Sequence, residues 1–210
     1  MNRTKPTSRR IPLSRRSHIT GLQPLATGIA EHESALERDF VTLTSFVNAE
    51  AVIIAQPLTL TFRRDGRASR YTPDFLVRSG DLSDLVEVKY QADLEANAER
   101  LRPGFDAAHA WAIENRASFR VATEAEIRGP MLLNAKRLLP LRALPVDHQL
   151  AVRVMTAVGS LSEPSLGRVV ATLSTNRSTT LSTVWRLIAR GELHVDLNSP
   201  ITLQTRLGLP

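Results

Sequence analysis

Two short strings in this sequence carry residue types suited to chemistry: Pro73-Asp74 and Glu87-Val88-Lys89, with twelve residues between Asp74 and Glu87. Both strings fall on expected strands joined by a turn at Ser79-Gly80-Asp81. Side chains alternate along a strand, so Glu87 and Lys89 share one face and Val88 points to the other. An aligned register brings Asp74 to the same place and gathers two carboxylates and an ammonium at one end of a strand pair. Magnesium prefers such oxygen ligands, taking one or two carboxylates and completing its octahedron with water and phosphate. A magnesium ion held there polarises a phosphodiester and acidifies an attacking water. Lys89 would orient that water or offset charge in the transition state. The plainer reading is an exposed, salt-bridging strand face, since both strings are short and common.

The elements that must position these residues follow from periodicity. Leu36, Phe40, Leu43 and Val47 make one apolar stripe, predicting a helix from near Glu31 with Glu33, Glu37 and Asp39 in its first turns, where the helix dipole favours acids. Strands are expected at Ala51–Ala55, at the alternating Leu58, Leu60 and Phe62, at Arg70–Arg78 around Pro73, and at Asp84–Tyr90. Asp65-Gly66 marks a turn between the second and third. A long helix, Leu94–Arg116, contains Pro103-Gly104, which can split or kink it. A strand at Ser118–Thr123 follows, and Thr123 with Glu126 has capping-box spacing. Residues 130–140 read as helical. The order helix, antiparallel meander, helix, strand is that of a three-layer α/β/α nuclease core with a mixed sheet.

From about Val146 the texture changes. Helices are expected at Gln149–Ser160, at Pro164–Leu173 with Ser162 as cap, and at Leu181–Arg190 ended by Gly191. The polar stretch Ser174–Thr180 reads as a turn, and Leu193–Leu197 alternates as a strand. This is the layout of a small, winged-helix-like α domain. The expected organisation is a basic extended arm at 1–30, a catalytic domain at 31–145 and a C-terminal domain at 146–210 for partner or DNA contact.

Composition narrows the chemistry. Apolar residues form 42% of the 210, enough for a packed core. With no cysteine there is no disulfide, thiol nucleophile or Cys-based metal site, which fits a reducing cytoplasm. The five His, at 18, 32, 109, 148 and 194, show no metal-ligand spacing. No apolar run reaches membrane-spanning length, and the first residues lack the apolar segment of a secretory signal. The net charge of +6 resides entirely in the arm: Arg3, Lys5, Arg9, Arg10, Arg15 and Arg16 account for six of the 27 basic residues, and the remainder equals the 21 acids. Such an arm attracts phosphate. It is read either as a nucleic-acid or partner-binding arm or as a solvated tail.

Three blocks in order, Leu36-Glu37-Arg38-Asp39-Phe40, Tyr71-Thr72-Pro73-Asp74-Phe75 and Val86-Glu87-Val88-Lys89, resemble the PD-(D/E)xK nuclease superfamily, and more closely the N-terminal nuclease domain of the TnsA family, over about residues 31–142. Trp185–Leu193 and Asp196-Leu197 resemble, more weakly, that family's small winged-helix domain. The resemblance implies a restriction-endonuclease-like fold with Glu37, Asp74 and Glu87 as metal ligands, joined by the Val88 backbone carbonyl, and Lys89 as catalytic lysine. It implies Mg²⁺, with Mn²⁺ able to substitute, and double-stranded DNA at transposon ends as substrate. It implies two protein partners, a DDE transposase that cuts and joins the 3′ ends while this subunit cuts the 5′ ends, and an ATP-binding regulator. A bacterial, nucleoid-associated location goes with that role. Glu87 stands where some family members carry Gln.

Other residues admit two readings. Arg63, Arg64 and Arg70, with Arg67, flank the hairpin beside Asp74, either as DNA contacts alongside the arm residues Arg9, Arg10, Arg15 and Arg16 or as a soluble rim. Asp93, Glu95 and Glu99 read as a solvated helix start. His32 reads as a surface histidine, and His109 and Trp111 as packing. Arg177, Arg186 and Arg190 lie where a helix-turn-helix meets DNA, though the absence of a dense basic patch favours a protein partner. The rival functions are a stand-alone restriction or repair nuclease and a non-catalytic DNA-binding scaffold.

Overall fold

The computed structural model describes residues 20–64, 66–173 and 176–210; arm residues Arg9, Arg10, Arg15 and Arg16 lie outside them. The chain parts into two compact units between Arg128 and Gly129. The first runs β1 (Gly21–Leu25), β2 (Gly28–His32), α1 (Ala35–Val47), β3 (Val52–Ala55), β4 (Leu60–Arg64), β5 (Arg67–Tyr71), β6 (Phe75–Ser79), β7 (Leu82–Val88), α2 (Gln91–Glu114), β8 (Ser118–Ala122) and α3 (Glu124–Ile127). One sheet has the order β3-β6-β7-β8, antiparallel except for the β7–β8 pair, whose parallel pairing requires the α2 crossover between them. β1–β2 and β4–β5 are separate antiparallel hairpins.

Alternation along β6 fixes the layers. Phe75 stacks on Phe40 of α1 at 5.3 Å between ring centroids. Its neighbour Leu76 clusters with Leu85, Phe119 and the α2 residues Ala108 and Ala112. Adjacent strand residues point to opposite faces, so α1 covers one face of the sheet and α2 the other. Phe75, Leu85 and Val86 are fully buried, as expected for a sheet covered on both sides.

Local chemistry moves several boundaries. α1 starts at Ala35 rather than near Glu31, because Ser34 caps it by accepting from the Glu37 N–H at 3.1 Å. Residues 21–30, assigned to the arm, and 31–32, assigned to the helix start, form the β1–β2 hairpin, and Thr27 Oγ1 ties its tip to the Ala51 carbonyl at 2.8 Å. Pro24 interrupts the alternation that would have signalled it. The single strand expected at Arg70–Arg78 is two strands in two sheets: Pro73 has no N–H for the ladder, and the chain changes partners across Thr72-Pro73-Asp74. α2 runs unbroken through Pro103. Thr123 makes no side-chain cap bond, so the capping box does not form.

The second unit holds α4 (Pro130–Leu138), a 3₁₀ turn (Leu139–Leu141), α5 (His148–Ser160), α6 (Leu166–Thr172) and α7 (Arg177–Ala189). Val154, Leu166, Val169, Leu187, Leu193 and Leu207 fill its core. α4 packs on α7, which is why this unit takes in residues 129–145, upstream of the expected boundary near 145. Ser165, not Ser162, caps α6. α7 begins at Arg177, inside the stretch read as a turn. The strand expected at Leu193–Leu197 reduces to one bridge, His194 with Gly208; a second bridge joins Ser165 to Arg206. Among the described residues no helix is long and apolar enough to cross a membrane.

Candidate active site

The site lies where β6 and β7 end together. Phe75 pairs with Val86 and Ala55 with Phe75, so one more step along the ladders sets Asp74 beside Glu87 on one side and Gln56 on the other. The Val88 N–H donates to Asp74 Oδ2 at 2.8 Å, and the Gln56 N–H donates to the Asp74 carbonyl at 2.8 Å. Glu87 is only 3% exposed, yet both its oxygens have partners: Lys89 Nζ donates to Oε1 at 2.7 Å and the Tyr71 hydroxyl to Oε2 at 2.7 Å. Lys89 is itself held by its N–H on the Ala122 carbonyl of β8, at 3.0 Å. Glu37, from the first turn of α1, accepts the Glu33 N–H at 2.7 Å.

The electrostatics are dominated by burial, to which neighbouring acid adds. Burial raises the Asp74 carboxyl well above the usual carboxylate range, and the charges of Glu87 and Glu37 push it further; the Val88 N–H and Lys89 offset only part of this. Glu37 is raised too, by burial first, against the bonds from Glu33 and Ser34. The Tyr71 phenol is raised by burial and by Glu87, so it stays a hydrogen-bond donor. Burial alone would depress Lys89, but the charge and hydrogen bond of Glu87, with Asp74 and Asp93, more than compensate and keep it cationic.

Asp74, Glu87 and Lys89 thus come together, with Glu37 near enough for its charge to be felt at Asp74. Among the described residues no three His, Asp or Glu form a ready-made metal cluster. The donor set is nevertheless one of hard carboxylate oxygens, which suits a magnesium-like ion. Arg63, Arg64, Arg67 and Arg70 are exposed on the β4–β5 hairpin, Arg64 reaching the Arg100 carbonyl at 3.4 Å. Asp93, Glu95 and Glu99 are exposed on α2. His32, read as a surface residue, is buried at 5% exposure against Gly21, where a Cβ would sit 3.0 Å from its Nε2. His109 meets Phe119 edge-on at 4.9 Å.

Three neighbours of the site escaped the sequence reading. Tyr71 stood inside a quoted block, but only the tertiary fold sets it on Glu87. Gln56, 8% exposed, holds a left-handed φ of 43° that non-glycine residues rarely adopt. Its Nε2 donates to Glu33 Oε1 at 3.0 Å while its N–H binds the Asp74 carbonyl, so it joins the two acidic segments. Gly104 is the third: a Cβ there would meet Tyr71 Cγ at 3.1 Å.

A mixed sheet covered by α1 and α2, with carboxylates and a lysine at the end of adjoining strands, defines a restriction-endonuclease-like α/β core. Residues 51–124 match the family described as TnsA-like endonuclease N terminal, so this segment is similar to the endonuclease domain of a transposase-associated family. The match runs from β3 to the start of α3 and includes Asp74, Glu87 and Lys89; Glu37 on α1 precedes it. No curated protein matches the chain.

Proposed function

We propose that this protein is the magnesium-dependent subunit of a heteromeric transposase that cuts the 5′ ends of a transposon. The observation that carries the reading is the meeting of Asp74 and Glu87 at one sheet end with Lys89 on the Glu87 carboxylate at 2.7 Å. Glu37, Asp74 and Glu87, with the Val88 carbonyl, would hold the ion, and Mn²⁺ would substitute. Magnesium, when bound, supplies Lewis acidity at the phosphate and lowers the pKa of water. The chain does the rest. Its carboxylates fix the site through main-chain bonds from Val88 and Glu33, and Lys89 brings a fixed positive charge to where negative charge gathers as water adds to phosphorus and the leaving P–O bond breaks. The exposed arginines of β4–β5, Arg63, Arg64 and Arg70, would hold backbone phosphates beside the site.

Within this reading a DDE transposase acts on the 3′ ends and an ATP-binding regulator controls the complex. The second unit serves partner contact rather than DNA reading. Its helices α5, α6 and α7 with the two bridges follow the order of a winged helix. Arg186 Nη1 donates to the Pro145 carbonyl and Arg190 Nη2 to the Leu144 carbonyl, each at 2.6 Å, so both guanidiniums take part in holding the loop before α5, which supports the partner reading.

Calorimetric titration of Mn²⁺ into wild type and Asp74→Ala tests the proposal without requiring the partners. Binding in wild type that disappears in the variant supports it. Equal behaviour of the two, repeated with duplex DNA present, refutes the metal site and favours the scaffold reading. Cleavage of ordinary duplex DNA by the isolated protein would favour a stand-alone nuclease.

A further inference from the structure

The β4–β5 hairpin supplies no acidic residue to the site, yet its last residue reaches into it. Tyr71 ends β5 and lies three residues before Asp74; its hydroxyl crosses to Glu87 on β7. Its ring is fixed on several sides. Leu60 pairs with it across the hairpin, and Phe105 of α2 meets it edge-on at 5.9 Å. Gly104 backs it so closely that any side chain there would press on the base of the ring. A methyl group at that position would meet Cγ and Cβ, which cannot swing aside as the end of a flexible chain would. The glycine is therefore a notch that admits the tyrosine.

The consequence falls on Glu87. A carboxylate on a long side chain has rotamers to lose, and a buried one needs bonds to hold it. Lys89 takes one oxygen, but Lys89 is also the group the reaction uses, and its ammonium on a flexible stem is a poor anchor. Tyr71 takes the other oxygen from a ring with little freedom of its own. Each carboxylate oxygen has two lone pairs, so one hydrogen bond to each leaves Glu87 with acceptor capacity for an ion.

We infer that Tyr71, seated in the Gly104 notch, is a positioning residue that fixes the Glu87 carboxylate for metal binding and ties its placement to the arginine-bearing hairpin. This rests on the metal-site reading above. Loss of a hydrogen-bonding partner behind a metal ligand typically weakens metal binding about 10–100-fold.

The test is Mn²⁺ calorimetry on the full chain for wild type, Tyr71→Phe, Gly104→Ala, Glu87→Ala and the double variant Tyr71→Phe/Glu87→Ala. Phenylalanine keeps the ring and its packing and removes only the hydroxyl. Tyr71→Phe is expected to raise the Mn²⁺ Kd about tenfold, and Gly104→Ala to raise it in the same direction although the hydroxyl is present. In the Glu87→Ala background the Phe substitution should add nothing, because its route to the metal is gone. A tyrosine that served only the core would leave Kd unchanged in Tyr71→Phe, and that result overturns the inference while the metal site stands. An additive effect in the double variant overturns it as well. If wild type takes up no Mn²⁺ with or without DNA, the metal reading itself falls, a failure seen in the wild-type titration before any variant is compared.

Discussion

In the first unit Asp74 and Glu87 meet beside one lysine at the end of a sheet, with the charge of Glu37 felt at Asp74; in the second, Arg142, Arg186 and Arg190 close on the main-chain carbonyls of Ala189, Pro145 and Leu144. The acids are buried or half-buried and the arginines half-buried to exposed, with opposite sign and opposite effect. The acids repel one another and are held by bonds that offset only part of that cost. The guanidiniums satisfy carbonyls that helix ends and loops leave open; Ala189, for instance, ends α7. The arginines meet carbonyl acceptors, whereas Asp74 meets the charges of Glu87 and Glu37 in a buried place. The first pattern belongs to architecture, and the second is the one expected of the proposed metal site.

The largest effect expected from breaking this contrast is on cleavage in the reconstituted complex. Asp74→Ala should abolish it, and Lys89→Ala should lower the rate by about 10²–10³-fold, the range for loss of one electrostatic contact to a transition state. Both variants should still melt in a cooperative transition. Strand cleavage retained by Asp74→Ala, or a wild-type rate in Lys89→Ala, would remove the functional half of the comparison.

Next in size is the architectural half. Arg142→Ala leaves the Ala189 carbonyl without its 3.0 Å donor, and loss of a hydrogen bond to a charged group should cost about 1.5–3 kcal/mol. Chemical denaturation should show that loss with Mn²⁺ affinity unchanged. A change in Mn²⁺ affinity would mean that the two roles are not separable.

A smaller effect of opposite sign is expected for Asp74→Asn in chelator. Asp74 binds its proton more tightly in the folded state than in the unfolded chain. The metal-free protein therefore loses stability as pH rises from the ordinary carboxylate range through the raised Asp74 pKa. The asparagine variant lacks that slope and should melt above wild type at neutral and alkaline pH. An equal or lower melting temperature would show that the Val88 bond, rather than repulsion, dominates at this position. The smallest effect should be Gln56→Gly. Glycine relieves a left-handed φ that costs of order 1–3 kcal/mol but releases the bond to Glu33, so stability should change little while Mn²⁺ affinity drops.

How legible each part was depends on how far apart its residues lie. Asp74, Glu87 and Lys89 could be placed together from the sequence because strand alternation is local and a short turn joins β6 to β7. The layers followed from the order of periodic segments. The split at Pro73 was half visible: the residue marked an interruption, but only the sheets show the chain leaving one and entering another. The β1–β2 hairpin was missed because Pro24 and the glycines that open both strands, Gly21 and Gly28, leave almost no period. In the second unit, Arg186 and Arg190 matched a DNA-facing helix by position alone, and the carbonyls that claim them lie 41 and 46 residues away.

The sequence by itself determined which residue types would meet at the sheet end, because their spacing and the two-residue strand period are properties of the local chain. Tertiary structure alone decided what restrains them. The Tyr71 hydroxyl on Glu87, the Gly104 notch and the Gln56 bridge depend on elements brought together by burial of Leu76, Leu85 and Phe119 against α2, a choice made by the packed core as a whole.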